Sequence, residues 1–98
     1  MKYTIEVKDY DHRIRLTWEP DATISVTHNE YGETVVKANR DGLISLANHL
    51  LTLAQDSVPS GAHIHLDQYN SLEVGSAELI LERWENWENN QEKYENNA

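Results

Sequence analysis

The stretch Asn39-Arg40-Asp41-Gly42-Leu43-Ile44-Ser45-Leu46-Ala47-Asn48-His49-Leu50-Leu51 is followed by Ser60-Gly61-Ala62-His63-Ile64-His65-Leu66-Asp67 and then by Glu78-Leu79-Ile80-Leu81. Leu43, Ala47, Leu50 and Ala54 recur at helical spacing, with Ile44, Leu46, Leu51 and Leu53 widening the stripe. Asn39 or Asp41 can accept the free amides of a first turn. The pattern predicts a helix from about Asp41 to Gln55, ended by Asp56-Ser57-Val58-Pro59-Ser60-Gly61. Ala62, Ile64 and Leu66 then alternate with His63, His65 and Asp67, the period-2 signature of a half-buried strand. Ala77, Leu79 and Leu81 form another inward row, against Glu78, Ile80 and Glu82 outward. Gln68 to Ser76 is a polar loop between them.

Upstream, the first 38 residues alternate in the same way. Tyr3, Ile5 and Val7 share one side, and Ile14, Leu16 and Trp18 another such row after the turn Asp9-Tyr10-Asp11. Ile24 and Val26 alternate with Thr23, Ser25 and Thr27, and Asn29-Glu30-Tyr31-Gly32 is a turn before Glu33 to Ala38. Short connections favour an antiparallel meander. The expected fold is α+β: a mostly antiparallel sheet of about six strands packed on one face against a single helix, a two-layer sandwich. The helical link is long enough for strands 33–38 and 62–67 to run parallel.

Ninety-eight residues suit one domain, with residues 1–84 as the folded unit and 85–98 as an acidic, Asn-rich tail with little to bury. Trp84 just before that tail, and Trp87 and Tyr94 within it, offer aromatic contacts, either to the domain or to a larger assembly. The absence of cysteine excludes disulfides and thiolate metal sites. Neither a signal-peptide run at the start nor a stretch of ~20 apolar residues is present, so the expected location is the cytoplasm. Formal net charge is −9, of which −2 falls in residues 1–38 and −7 in residues 39–98. That sign opposes direct binding to nucleic acid, where phosphate contacts dominate affinity, and favours a basic partner.

His63-Ile64-His65 is a spacing that strand-borne zinc ligands use, since residues two apart lie ~6.5–7 Å apart on one face. Asp67, ~13 Å from His63, cannot easily join the same ion, so further ligands would come from Glu78, Glu82 or His49. A small metal-binding protein or metal-dependent hydrolase using His63 and His65 is therefore one reading. The other is a recognition surface, with histidines facing glutamates across one exposed sheet face and Trp84 as an aromatic anchor. No Gly-x-Ser-x-Gly elbow or phosphate-cradling glycine loop occurs.

Asn39-Arg40-Asp41-Gly42-Leu43, the Leu/Ala helix after it, Gly61-Ala62-His63-Ile64-His65-Leu66-Asp67 and Leu72-Glu73-x-Gly75-Ser76-x-Glu78-Leu79 together resemble the immunity protein family thirty-two of bacterial polymorphic toxin systems. The resemblance covers residues 39–83. It implies a small α+β protein, without enzymatic activity or cofactor, that binds and neutralises a cognate toxin domain delivered by contact or secretion. It carries over His63, His65, Asp67, Leu72, Glu73, Gly75, Ser76 and Glu78 as matching positions. Together with the exposed-face reading, the toxin-binding candidates are His63, His65, Asp67, Tyr69, Glu73, Glu78, Glu82 and Trp84. The partner expected is a basic toxin, with no nucleic acid or membrane bound directly, and the protein itself a monomer or homodimer.

Overall fold

The computed structural model describes residues 1–85. The elements run β1 (Ile24–His28), β2 (Thr34–Ala38), α1 (Arg40–Leu53), β3 (His63–Leu66) and β4 (Leu79–Glu82). Among the described residues the α+β class and the single helix hold, but the single sheet does not. Among the described residues there are two separate two-stranded antiparallel sheets, β1–β2 and β3–β4, in place of one sheet of about six strands. β2 and β3, which the sequence allows to run parallel, do not pair.

The first hairpin follows its turn chemistry. Asn29 Oδ1 accepts the amides of Tyr31 and Glu33, and Gly32 takes a positive φ of 79° that other residues rarely adopt. β1 then pairs with β2 from Ile24↔Ala38 to His28↔Thr34, which buries Ile24 and Val26 as the alternation requires. In the second hairpin His63 pairs with Glu82 and Leu66 with Leu79. That register turns Ile64 and Leu66 inward to join Ile24, Val26, Leu53, Val58 and Leu72 in the core.

Irregular backbone joins the two sheets. Glu73 N–H donates to Ile24 O (2.8 Å) and Ala77 N–H to Val26 O (2.7 Å), while Ser76 Oγ accepts from Val26 N–H. The segment thus advances from Glu73 to Ala77 while β1 advances only from Ile24 to Val26, a bulged edge where a regular strand would stand.

The N-terminal arm shows why the expected meander fails. Its alternation survives in part: Ile14 and Leu16, with Tyr10 of the turn, lie against the core, whereas Tyr3 and Trp18 are exposed. Its backbone partners, however, are side chains of α1 and of Gln55 just past its end. Asn48 Nδ2 donates to Glu6 O and Gln55 Nε2 to Lys8 O, while Gln55 Oε1 accepts from Tyr10 N–H and Ser45 Oγ from Glu19 N–H. Hydrogen-bonding needs that a ladder would meet are met by polar side chains, and no strand precedes Ile24 in the described residues.

This arrangement rotates α1 relative to its expected pose. Ser45, Asn48, His49 and Thr52 are buried, with Gly42 and Leu53, whereas Leu43, Leu50, Leu51 and Ala54 of the anticipated inward stripe are exposed. Asn39 caps the helix as the sequence suggests. Its Oδ1 accepts from Gly42 N–H (2.7 Å) and Thr23 N–H (3.0 Å), and its Nδ2 donates to Asp21 O, so one side chain ties the start of β1 to the start of α1.

His49 sits wholly inside this packing. Neither ring nitrogen has a hydrogen-bond partner among the described residues, and Trp18 meets the ring edge-on at 4.3 Å. Burial pushes its pKa below the ordinary 6.5, because the charged form loses water and gains nothing in return. The unfolded chain takes up a proton near pH 6.5 while the folded chain resists it. Stability from this group is therefore complete above that pH and declines as pH falls below it, until the depressed folded pKa is reached. Thermal melts of wild type and His49→Leu between about pH 7.5 and about pH 5 are expected to show a smaller acid-side loss in the variant. Equal losses would show that His49 does not contribute to acid sensitivity.

Candidate interaction face

The outward side of the β3–β4 hairpin collects most of the candidate residues. With Ile64 and Leu66 committed to the core, His63 and His65 must point away from it. Across the ladder they meet Glu82 and Ile80, and His65 Nε2 lies 3.5 Å from Glu78 Oε2. His63 Nδ1 is 3.2 Å from Gly61 O, a contact that assigns the ring proton to Nδ1, since a carbonyl only accepts. The expected facing of histidines and glutamates across one exposed surface is present. Glu73, Glu78, Glu82 and Trp84 are all exposed, as is Tyr69 in the preceding loop.

Other matching positions serve the loop itself. Asp67 Oδ1 accepts from the amides of Tyr69 and Asn70, and its carbonyl accepts from Leu72 N–H. Leu72 is buried, Gly75 has a φ of 88°, and Ser76 binds β1 through its hydroxyl. The carboxylate of Asp67 is thus committed to shaping a turn. Gln68 Oε1 accepts from Gly75 N–H and closes the loop on itself.

At the far end of the hairpin the ladder continues past the formal strands, with Gly61 N–H donating to Arg83 O and Arg83 N–H to Ala62 O. This places the Arg83 guanidinium at the C-terminus of α1. Its Nη1 donates to Leu53 O (2.6 Å), a carbonyl beyond which the helix supplies no further turn, and to Gln55 O (2.8 Å), which also accepts from Val58 N–H, and it pairs with Glu85. The sequence reading assigned Arg83 no role. Its one signal was a cation closing an otherwise acidic run.

Among the described residues no group of three His, Cys, Asp or Glu side chains stands where it could hold a metal ion. His49, one of the extra ligands the sequence offered, is sealed against Trp18. Trp87 and Tyr94, expected to offer aromatic contacts, and the acidic tail from Asn86 onward lie outside the described residues. No helix in the described residues is long and apolar enough to cross a membrane.

The family model described as Immunity protein 32 matches residues 33–83, which include β2, α1, β3, β4 and the whole candidate face except Trp84. No curated protein and no solved structure matches the chain. The matched stretch is just over half of the chain, and the protein belongs to the Immunity protein 32 family.

Proposed function

We propose that this immunity protein neutralises its cognate toxin domain by stoichiometric binding through the outward face of the β3–β4 hairpin, inside the cell that makes both. The observation that carries the reading is the gathering of exposed carboxylates there. Glu78 and Glu82 stand on or beside β4, with Glu73 in the adjoining segment and the two imidazoles between. Such a face attracts a basic protein and orients it on approach. The partner it fits is a cationic toxin domain, most simply a nuclease whose substrate channel is already built for anions. The carboxylates would then occupy or shield the phosphate-binding surface, and Trp84 would supply an aromatic contact at the edge. Inhibition by occlusion requires no chemistry of its own, so the protein acts as an inhibitor and not as an enzyme.

The test is association with the toxin domain encoded beside this gene, measured by stopped flow at low and high salt. Glu78→Lys combined with Glu82→Lys is expected to slow association about tenfold or more at low salt while leaving the melting temperature nearly unchanged, because both side chains are exposed. The difference should shrink as salt screens the field. An unchanged on-rate at low salt would refute steering by this face. Absence of any binding would refute the choice of toxin.

A further inference from the structure

α1 presents an apolar side to solvent. Leu43 is 55% exposed, Leu50 53% and Leu51 47%, and Ala54 is also exposed. The polar side chains that would ordinarily face water, Ser45, Asn48, His49 and Thr52, are the buried ones. On the solvent side Leu43, Ala47, Leu50 and Ala54 alternate at spacings of four, three and four, the a/d seam along which helices interlock. Leucine and alanine also alternate along it.

That alternation is self-complementary. If a second copy of α1 lies antiparallel across a two-fold axis passing between Asn48 and His49, Leu43 falls opposite Ala54 of the second copy, and Ala47 opposite Leu50. Every large side chain then meets a small one, as closely packed layers require. The charges agree with the same geometry. Arg40, exposed at the first turn, falls beside Asp56, exposed just past the last, at both ends of the seam. Each Arg40 also approaches the negative end of the opposing helix, and the two helix dipoles run opposed. A parallel pairing would set Leu against Leu and Arg40 against Arg40.

We infer that the solvent face of α1 is a homodimer interface, with α1 packing antiparallel on α1 of a second copy. Two helices of this length bury less than the ~1,200 Å² of a standard stable interface, so the dimer is reversible and micromolar or weaker. The seam uses none of the hairpin's candidate residues, and dimerisation does not depend on the toxin-binding reading.

Sedimentation equilibrium of the full-length protein from about 5 to about 500 µM, the range in which a micromolar dimer populates both states, is the experiment. A monomer–dimer equilibrium is expected. Leu50→Glu should weaken it at least about tenfold with no loss in melting temperature, because the side chain is half exposed and the change removes apolar surface from water. Arg40→Asp should weaken it too, and adding Asp56→Arg should restore it, an outcome that misfolding cannot produce. A protein monomeric throughout the range, or a dimer indifferent to both Leu50→Glu and the charge exchange, overturns the inference. If the protein is monomeric and Leu50→Glu weakens toxin binding, the face belongs to the toxin. If removing residues 86–98 creates a dimer, the face is covered by this chain itself.

Discussion

Gly42→Ala is expected to lower the melting temperature by about 10 °C, for a net cost of about 2 kcal/mol. Gly42 lies in the first turn of α1, where the helix crosses the start of β1. A Cβ there would stand 2.5 Å from Thr23 O, 2.9 Å from Ile24 Cγ1 and 3.0 Å from the Ala38 Cβ. The nearest of these is backbone, and Thr23 O already accepts from Asn39 N–H, so it cannot move aside without loosening the joint between β1 and α1. Alanine would otherwise help a helix by about 1 kcal/mol, which makes the expected sign informative: propensity and packing oppose each other, and packing prevails. Gly32→Ala is the control. Nothing lies within 4 Å of its Cβ position, so only its positive φ is strained and the cost should be about 1 kcal/mol. A Gly42→Ala protein as stable as wild type would mean that α1 can shift outward, and the rotated helix pose would need revision.

Arg83→Ala is expected to cost about 2–3 kcal/mol, seen as a lower denaturation midpoint. The guanidinium is largely covered, at 15% exposure, and its two bonds to Leu53 O and Gln55 O are charge-assisted. Removing it takes the charged donor from Leu53 O, leaves Gln55 O with only the Val58 amide, and opens a gap between the hairpin and α1. Arg83→Lys should recover only part of the loss, since one ammonium on a flexible stem cannot replace the planar fork. Hydrogen exchange offers a local check, because the Gly61 amide that donates to Arg83 O should exchange faster in Arg83→Ala. If stability is unchanged, Arg83 is a surface residue whose contacts are incidental.

Local chemistry made much of this structure legible. Asn39 as cap, the Asn29-to-Gly32 turn, the β1 alternation and the His63–Leu66 strand all follow from rules acting over a few residues. So does the meeting of histidines and glutamates across the second hairpin. What misled was the helix. Leu43, Ala47, Leu50 and Ala54 form a good apolar stripe, yet Ser45, Asn48 and Gln55 are needed by the N-terminal arm, and their bonds to backbone 26 to 47 residues away are not visible in any local period. Once those side chains face inward, the stripe has to face out. The same long-range bonds explain the missing strands, because an arm bound by side chains has no need of a ladder. A run of polar residues at three- and four-residue spacing, Ser45, Asn48, His49 and Thr52, was the available signal, since four polar groups sharing one face need either water or partners.

The joint between the two sheets bears on how such a protein can diversify. Two main-chain bonds and one serine hydroxyl connect β1 to the segment that leads into β4, and none of them depends on the outward side chains of the hairpin. Replacing His63, His65, Glu78, Ile80 or Glu82 therefore leaves the attachment intact. On the proposed reading of that face, a lineage facing a changing toxin can rewrite the surface one residue at a time while Leu72, Gly75 and Ser76 keep the hairpin mounted, so recognition and foldability are inherited as nearly separate traits.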